Sequence, residues 1–180
     1  MKLKYCTFLI FLLFLASNYG YAENHVITIN IAEDGDSITI SPQLDFNTSA
    51  QIKEAIDSGI RIQLIAKAQI IASKTWWFDQ TIKNDKMVLE VSYFTLGKLY
   101  IVKNKETGKQ LGFNSYEQLW KGFEKLINYR YKKAICVNRS FKMRLVLDKG
   151  ALPTAMQLPV LFDSNWDINT PWYQQDLEIK

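Results

Sequence analysis

Between Ile60 and Ser73 apolar side chains recur at every second position: Ile60, Ile62, Leu64, Ala66, Ala68, Ile70 and Ala72. Arg61, Gln63, Lys67 and Gln69 take the opposite parity. Successive strand residues face opposite ways, so the spacing predicts a long strand with one buried and one wet face. His25-Val-Ile-Thr-Ile-Asn-Ile31 alternates with Ile27, Ile29 and Ile31 on one side, and the pattern resumes at Ile38, Ile40, Leu44 and Phe46. The Asp-Gly within Ala32–Asp36 makes this an opening β-hairpin, and Pro42 implies a bulge or an edge position. A short helix is expected from Asn47-Thr-Ser: Thr48 and Gln51 have capping-box spacing, Ile52, Ala55 and Ile56 form the stripe, and Gly59 stops it.

Further along, Lys83-Asn-Asp-Lys86 reads as a turn before strands at Met87–Phe94 and Leu99–Val102, with Lys103–Gly108 as another polar turn. Tyr116, Leu119, Trp120, Phe123, Leu126 and Ile127 recur at helical spacing behind a cap at Asn114 or Ser115. That stripe should bury Trp120 against a sheet. Phe141, Met143, Leu145 and Leu147 alternate with Lys142, Arg144 and Asp148 as one more strand. Prolines within Leu152–Pro159 end it, and Val160–Phe162 reads as a short edge strand. The fold class is therefore mainly β or α+β. About seven or eight antiparallel strands and two helices should make one β-sandwich-like domain, since two facing sheets bury one side of so many alternating strands.

The first 22 residues change the picture. Lys2 and Lys4 precede the apolar run Phe8–Ala16, and Gly20 and Ala22 place small residues before Glu23. This is the layout of a secretory signal peptide (1–22) cleaved after Ala22, leaving one domain over 23–180 in the periplasm. The run is shorter than the roughly 20 residues a membrane span needs. Cleavage removes two lysines and no acid, so the net charge falls from +4 to +2, with 20 basic against 18 acidic side chains. No nucleic-acid binding is expected of such a balance without a basic cluster, and no stable membrane insertion after cleavage.

The chemistry on offer is sparse. His25 is the only histidine and lies near the expected new terminus, a poor place for a catalytic base. Cys136 is the one cysteine left after cleavage, set among apolar neighbours and read as buried. Two such ligands do not make a zinc site, and Glu33-Asp-Gly-Asp36 lacks the calcium-loop pattern. No phosphate-cradling glycine loop occurs, so no metal or cofactor is expected. A carboxylate-based hydrolase would have to pair Asp79 with Asp163 or Asp167, which otherwise serve as turn caps.

Large aromatics stand out instead. Lys74-Thr-Trp-Trp-Phe-Asp-Gln-Thr-Ile82 holds Trp76, Trp77 and Asp79, and the tail holds Trp166, Trp172 and Tyr173. On an unbulged strand Trp76 would face inward and Trp77 outward, where the tail aromatics would clamp it or leave it as a binding platform. The signal peptide and hairpin, Leu44–Ile56 running through Gly59 into the long strand, Trp76-Trp-Phe-Asp79, and Leu152-Pro through Ser164-Asn-Trp-Asp167 to Trp172-Tyr173 together resemble the DUF4390 family of exported bacterial proteins. The resemblance carries over no catalytic residue or cofactor. It implies an envelope signalling role, because members are often encoded near a membrane sensor histidine kinase. The expectation is a non-enzymatic module binding an envelope protein partner. A glycan or small-ligand binder using the exposed tryptophans is the first alternative, and the hydrolase the second.

Overall fold

A computed structural model describes residues 25–72 and 79–179. The expected signal peptide and Trp76–Trp77 lie outside them. Nine strands form two antiparallel sheets among the described residues, and four short α-helices and three 3-10 turns join them. The first sheet has the order β1 (His25–Asp34), β2 (Ser37–Asp45), β7 (Tyr129–Lys132). The second runs β6 (Gln110–Phe113), β5 (Leu99–Asn104), β4 (Gln80–Phe94), β3 (Ile62–Ala72), β8 (Arg139–Leu147), β9 (Tyr173–Leu177).

The hairpin forms as its pattern requires, with Gly35 at φ +58° in the turn. A bulge between Val26 and Thr28 seats Val26 in the core beside Ile29. Pro42 lies beyond the pairing of β2 with β7, which ends at Ile40, so its missing donor costs that ladder nothing. Strand β3 buries Ile62, Leu64, Ala66, Ala68 and Ile70, the anticipated parity. Tyr129 and Tyr131 of β7 reach across to Phe141 of β8, and the Tyr129 hydroxyl donates to the Ala66 carbonyl at 2.9 Å. The two sheets therefore face each other over β3 and β8.

Helices close the rest of that face. In α1 (Ala50–Asp57) Ile52, Ala55 and Ile56 are buried, and Gly59 at φ +86° ends it. Its cap is Ser49 rather than Thr48: the Ser49 hydroxyl accepts from Ile52 N–H, while the Thr48 hydroxyl bonds to Tyr116. In α2 (Tyr116–Gly122), capped by Ser115, the following 3-10 turn Phe123–Leu126 and its capping residue Ile127, all six stripe residues are buried, Trp120 included.

A charged clasp ties α1 to the sheet. Asp57 accepts from the Tyr100 hydroxyl of β5 at 2.6 Å and from Lys53 Nζ at 2.5 Å. Burial alone would push the Asp57 carboxyl up, but these two bonds outweigh it and hold it below 3.8. A carboxyl depressed in the folded state stabilises above its unfolded value and loses that contribution as pH falls through the folded one. Asp57→Asn is expected to cost about 0.5–1 kcal/mol at neutral pH, as for a partly exposed pair. The gap from wild type should close in urea melts as the pH drops below 3.8. A gap that stays constant well below that pH would show that the charge is not what matters.

Several sequence expectations change. Lys83–Lys86 is not a turn: β4 runs unbroken through it, paired with β3 from Ala72↔Gln80 to Ile62↔Val91. Lys83, Asn84 and Lys86 are exposed and Asp85 half-buried near the end of a long strand, bulged at Ile82. Val160–Phe162 is not an edge strand but the end of α4 (Thr154–Leu161), which accommodates Pro159 inside it. Gln157 Nε2 secures that helix by donating to the Gly150 and Leu152 carbonyls. The short strands β6, β7 and β9, and the single-turn helix α3 (Lys133–Cys136), carry too few residues for a periodic signal.

Candidate functional site

The outer face of the six-stranded sheet has no covering layer among the described residues, and cations gather there. Lys67 of β3 is the register partner of both Lys86 of β4 and Arg144 of β8. Three basic side chains thus lie in one row, on strands about 4.8 Å apart. In the next row Gln69 sits between Asn84 and Lys142, and Lys142 opposes Gln174 of β9. Tyr173, opposite the buried Met143, packs toward the core. Alternation therefore sends Trp172 to the open side. There the Arg144 guanidinium carbon lies 4.8 Å, and Lys142 Nζ 5.2 Å, from the Trp172 ring centroid, within cation–π range. A cleft of about 510 Å³ is lined by Lys67, Gln69, Asn84, Asp85, Lys86, Arg144 and Trp172.

Asp85 is the one acid in that lining, and it is engaged by a lysine. Asp85 opposes the buried Ala68 and meets Lys83 at 3.5 Å. It belongs to the core-facing side, where burial, with Asp85 close by, pushes the Tyr129 and Tyr131 phenols up. Glu90 pairs with Lys105 at 3.4 Å, and Asp176 accepts from the Ser140 hydroxyl. Among the described residues Lys67, Lys86, Lys142 and Arg144 have no ion-pair partner.

A second surface is apolar. Leu158, Leu161 and Phe162 at the end of α4 are 70%, 56% and 89% exposed, while Val160 between them anchors the helix in the core at 3%. The sequence showed these residues as a hydrophobic run, but an edge-strand reading hides that a helix turns three of them outward.

The residues singled out in the sequence separate in space. Trp166 is buried at 5%, Trp172 lines the cleft, and Tyr173 leans on the core with its hydroxyl donating to Gln175 at 2.6 Å. They do not form one aromatic surface. Asp79 is exposed just before β4. Asp163 accepts from Asn165 N–H and Nδ2, both at 2.9 Å, and Asp167 lies 4.0 Å from Lys149 Nζ. Cys136 is fully buried, and burial pushes its thiol up, away from reactivity. Among the described residues no cluster of three or more His, Cys, Asp or Glu is placed to hold a metal.

The sequence hides the cationic row, because Lys83-Asn-Asp-Lys86 has the composition of a turn. The alternation of Lys67 and Gln69 against Lys142 and Arg144 was visible, but only strand register puts the three charges side by side.

Two facing antiparallel sheets with short helices closing one side, an open basic face and an apolar ridge define an α+β module built around surfaces. The chain belongs to the DUF4390 family, described as a domain of unknown function, whose model matches residues 22–176. No curated protein and no solved structure matches it.

Proposed function

We propose that the protein is an exported, non-enzymatic module that binds a protein partner in the cell envelope. The observation that carries this reading is the ridge of Leu158, Leu161 and Phe162, three large apolar side chains standing outward within five residues. A grouped set of this kind, with an aromatic at its most exposed point, is the usual centre of a protein contact. The basic and apolar residues of Lys2–Ala22 support export. Among the described residues no helix is long and apolar enough to cross a membrane.

A photo-crosslinking residue at position 162 in living cells is expected to give one discrete higher-mass adduct. The same probe at the exposed Glu117, on another helix, should give none. Phe162→Asp should abolish a crosslink read from position 158 while changing stability by no more than about 0.5 kcal/mol. No adduct at 162, or equal adducts at 162 and 117, would overturn the reading. Osmotic-shock fractions lacking the processed chain would overturn its location.

A further inference from the structure

A separate site lies on the sheet's open face. We infer that the cleft over Lys67, Lys86, Arg144 and Trp172 binds a compact oxyanion carrying at least two negative charges.

Like charges directly opposite on neighbouring strands repel. Lys67 has such a neighbour on each side, Lys86 and Arg144. None of them meets a carboxylate within an ion-pair distance, although six other cations in the described chain do. A row serving only solubility would be relieved by interspersed acids, and the open-face acids Glu90 and Asp176 are already tied to Lys105 and Ser140. The row is completed by a charge from outside.

Arg144 is prepared to receive it. Its guanidinium lies against Trp172, which fixes the plane of the group. Its Nε is buried and has no acceptor, a donor left without a bond. A held guanidinium fork matches phosphate and carboxylate oxygens two at a time. Lys67 and Lys86 supply point charges beside it, and Gln69 and Asn84 supply amides from the next row. The cleft, about 510 Å³, falls within the ordinary size range of small-molecule sites. Three cations and one acid, Asp85, line it, and a fourth cation, Lys142, lies over the Trp172 ring, so a single negative charge leaves the row under-compensated. A diphosphate-sized group satisfies it, either free or as the headgroup of an anionic lipid.

The test uses the protein purified from cells, with pyrophosphate as the soluble probe and vesicles containing cardiolipin, whose headgroup carries two phosphates, as the lipid one. The readout is the Trp172 indole N–H signal in nitrogen-15 NMR spectra, assigned with Trp172→Phe. Pyrophosphate should shift that signal saturably, and Lys67→Gln with Lys86→Gln should weaken binding about tenfold or more. Arg144→Lys, which keeps the charge and loses the fork, should weaken it as well. Ligand-free Lys67→Gln should melt at or above the wild-type temperature, because the substitution removes repulsion. Binding to vesicles but not pyrophosphate, lost in the same variants, would assign the headgroup. The proposal is overturned if neither probe moves the Trp172 signal, if the shift never saturates, or if the variants bind as wild type does. A lower melting temperature for Lys67→Gln with unchanged binding would likewise reduce the row to a structural feature.

Discussion

Trp166→Ala is expected to lower the unfolding free energy by about 3–5 kcal/mol, whereas Trp172→Ala should cost under about 1 kcal/mol. The two residues belong to the same aromatic tail, yet they do opposite jobs. Trp166 ends a 3-10 turn whose preceding carbonyl, that of Asn165, accepts from the Ser49 hydroxyl at 2.7 Å, and its ring lies in the core at 5% exposure. Truncation there leaves a cavity that the turn cannot collapse to fill, because Thr170 and Ile168 hold the next residues against β8. Leu147 N–H donates to the Ile168 carbonyl at 2.8 Å, and Thr170 N–H donates to the Leu145 carbonyl at 2.9 Å. Leu145 N–H in turn donates to the Thr170 hydroxyl at 2.8 Å. Trp172 stands half-exposed under two cations and supports no core residue. Urea melts of both variants check this. Comparable losses would mean that the cleft tryptophan is a structural pin.

Phe123→Ala should cost a similar amount, about 3–5 kcal/mol. Phe123 is fully buried where the 3-10 turn leaves α2, with ring centroids 5.1 Å from Phe46 and 5.3 Å from Trp120. Phe46 follows β2 and Trp120 belongs to α2, and their own centroids are 4.8 Å apart, so Phe123 completes an aromatic triad that joins the small sheet to the helical cover of the large one. For a chain of this size each kcal/mol lowers the melting temperature by roughly 2–4 °C. A drop of about 10 °C by calorimetry is therefore the expected result, and a drop of under about 2 °C would deny Phe123 that role.

The long periodic segments were legible, and for one reason. Ile60–Ala72, Phe141–Leu147 and the stripe from Tyr116 to Ile127 each repeat an apolar position often enough for one face to be unambiguous. The structure buries those residues, Ile60 and Ala72 at the strand's ends being only partly covered. What failed was punctuation. Lys83-Asn-Asp-Lys86 has turn composition, but its backbone bonds go to β3 from a segment that no sequence pattern pairs with it. Val160–Phe162 looks like a strand because three β-favouring residues follow a proline. Helix α4 forms there because Gln157 and the Met156 N–H, which donates to the Pro153 carbonyl, tie the segment to the turn before it. The candidate sites lay beyond reach for the same cause. Trp172 could be nominated from its type, but its cationic company comes from β3, β4 and β8, segments far apart in the chain.

Strand order has a consequence for how the chain must be made. The aliphatic β3 lies between β4, its next strand in sequence, and β8, which is synthesised only after six further elements. Until β8 is docked, Leu64–Ile71 shows a bare row of amides and carbonyls on one side, in the segment richest in isoleucine and alanine. Such a row invites pairing with other copies. A nascent chain of this protein therefore has a long interval of vulnerability, and its safest course is to keep that edge shielded until its last third has emerged.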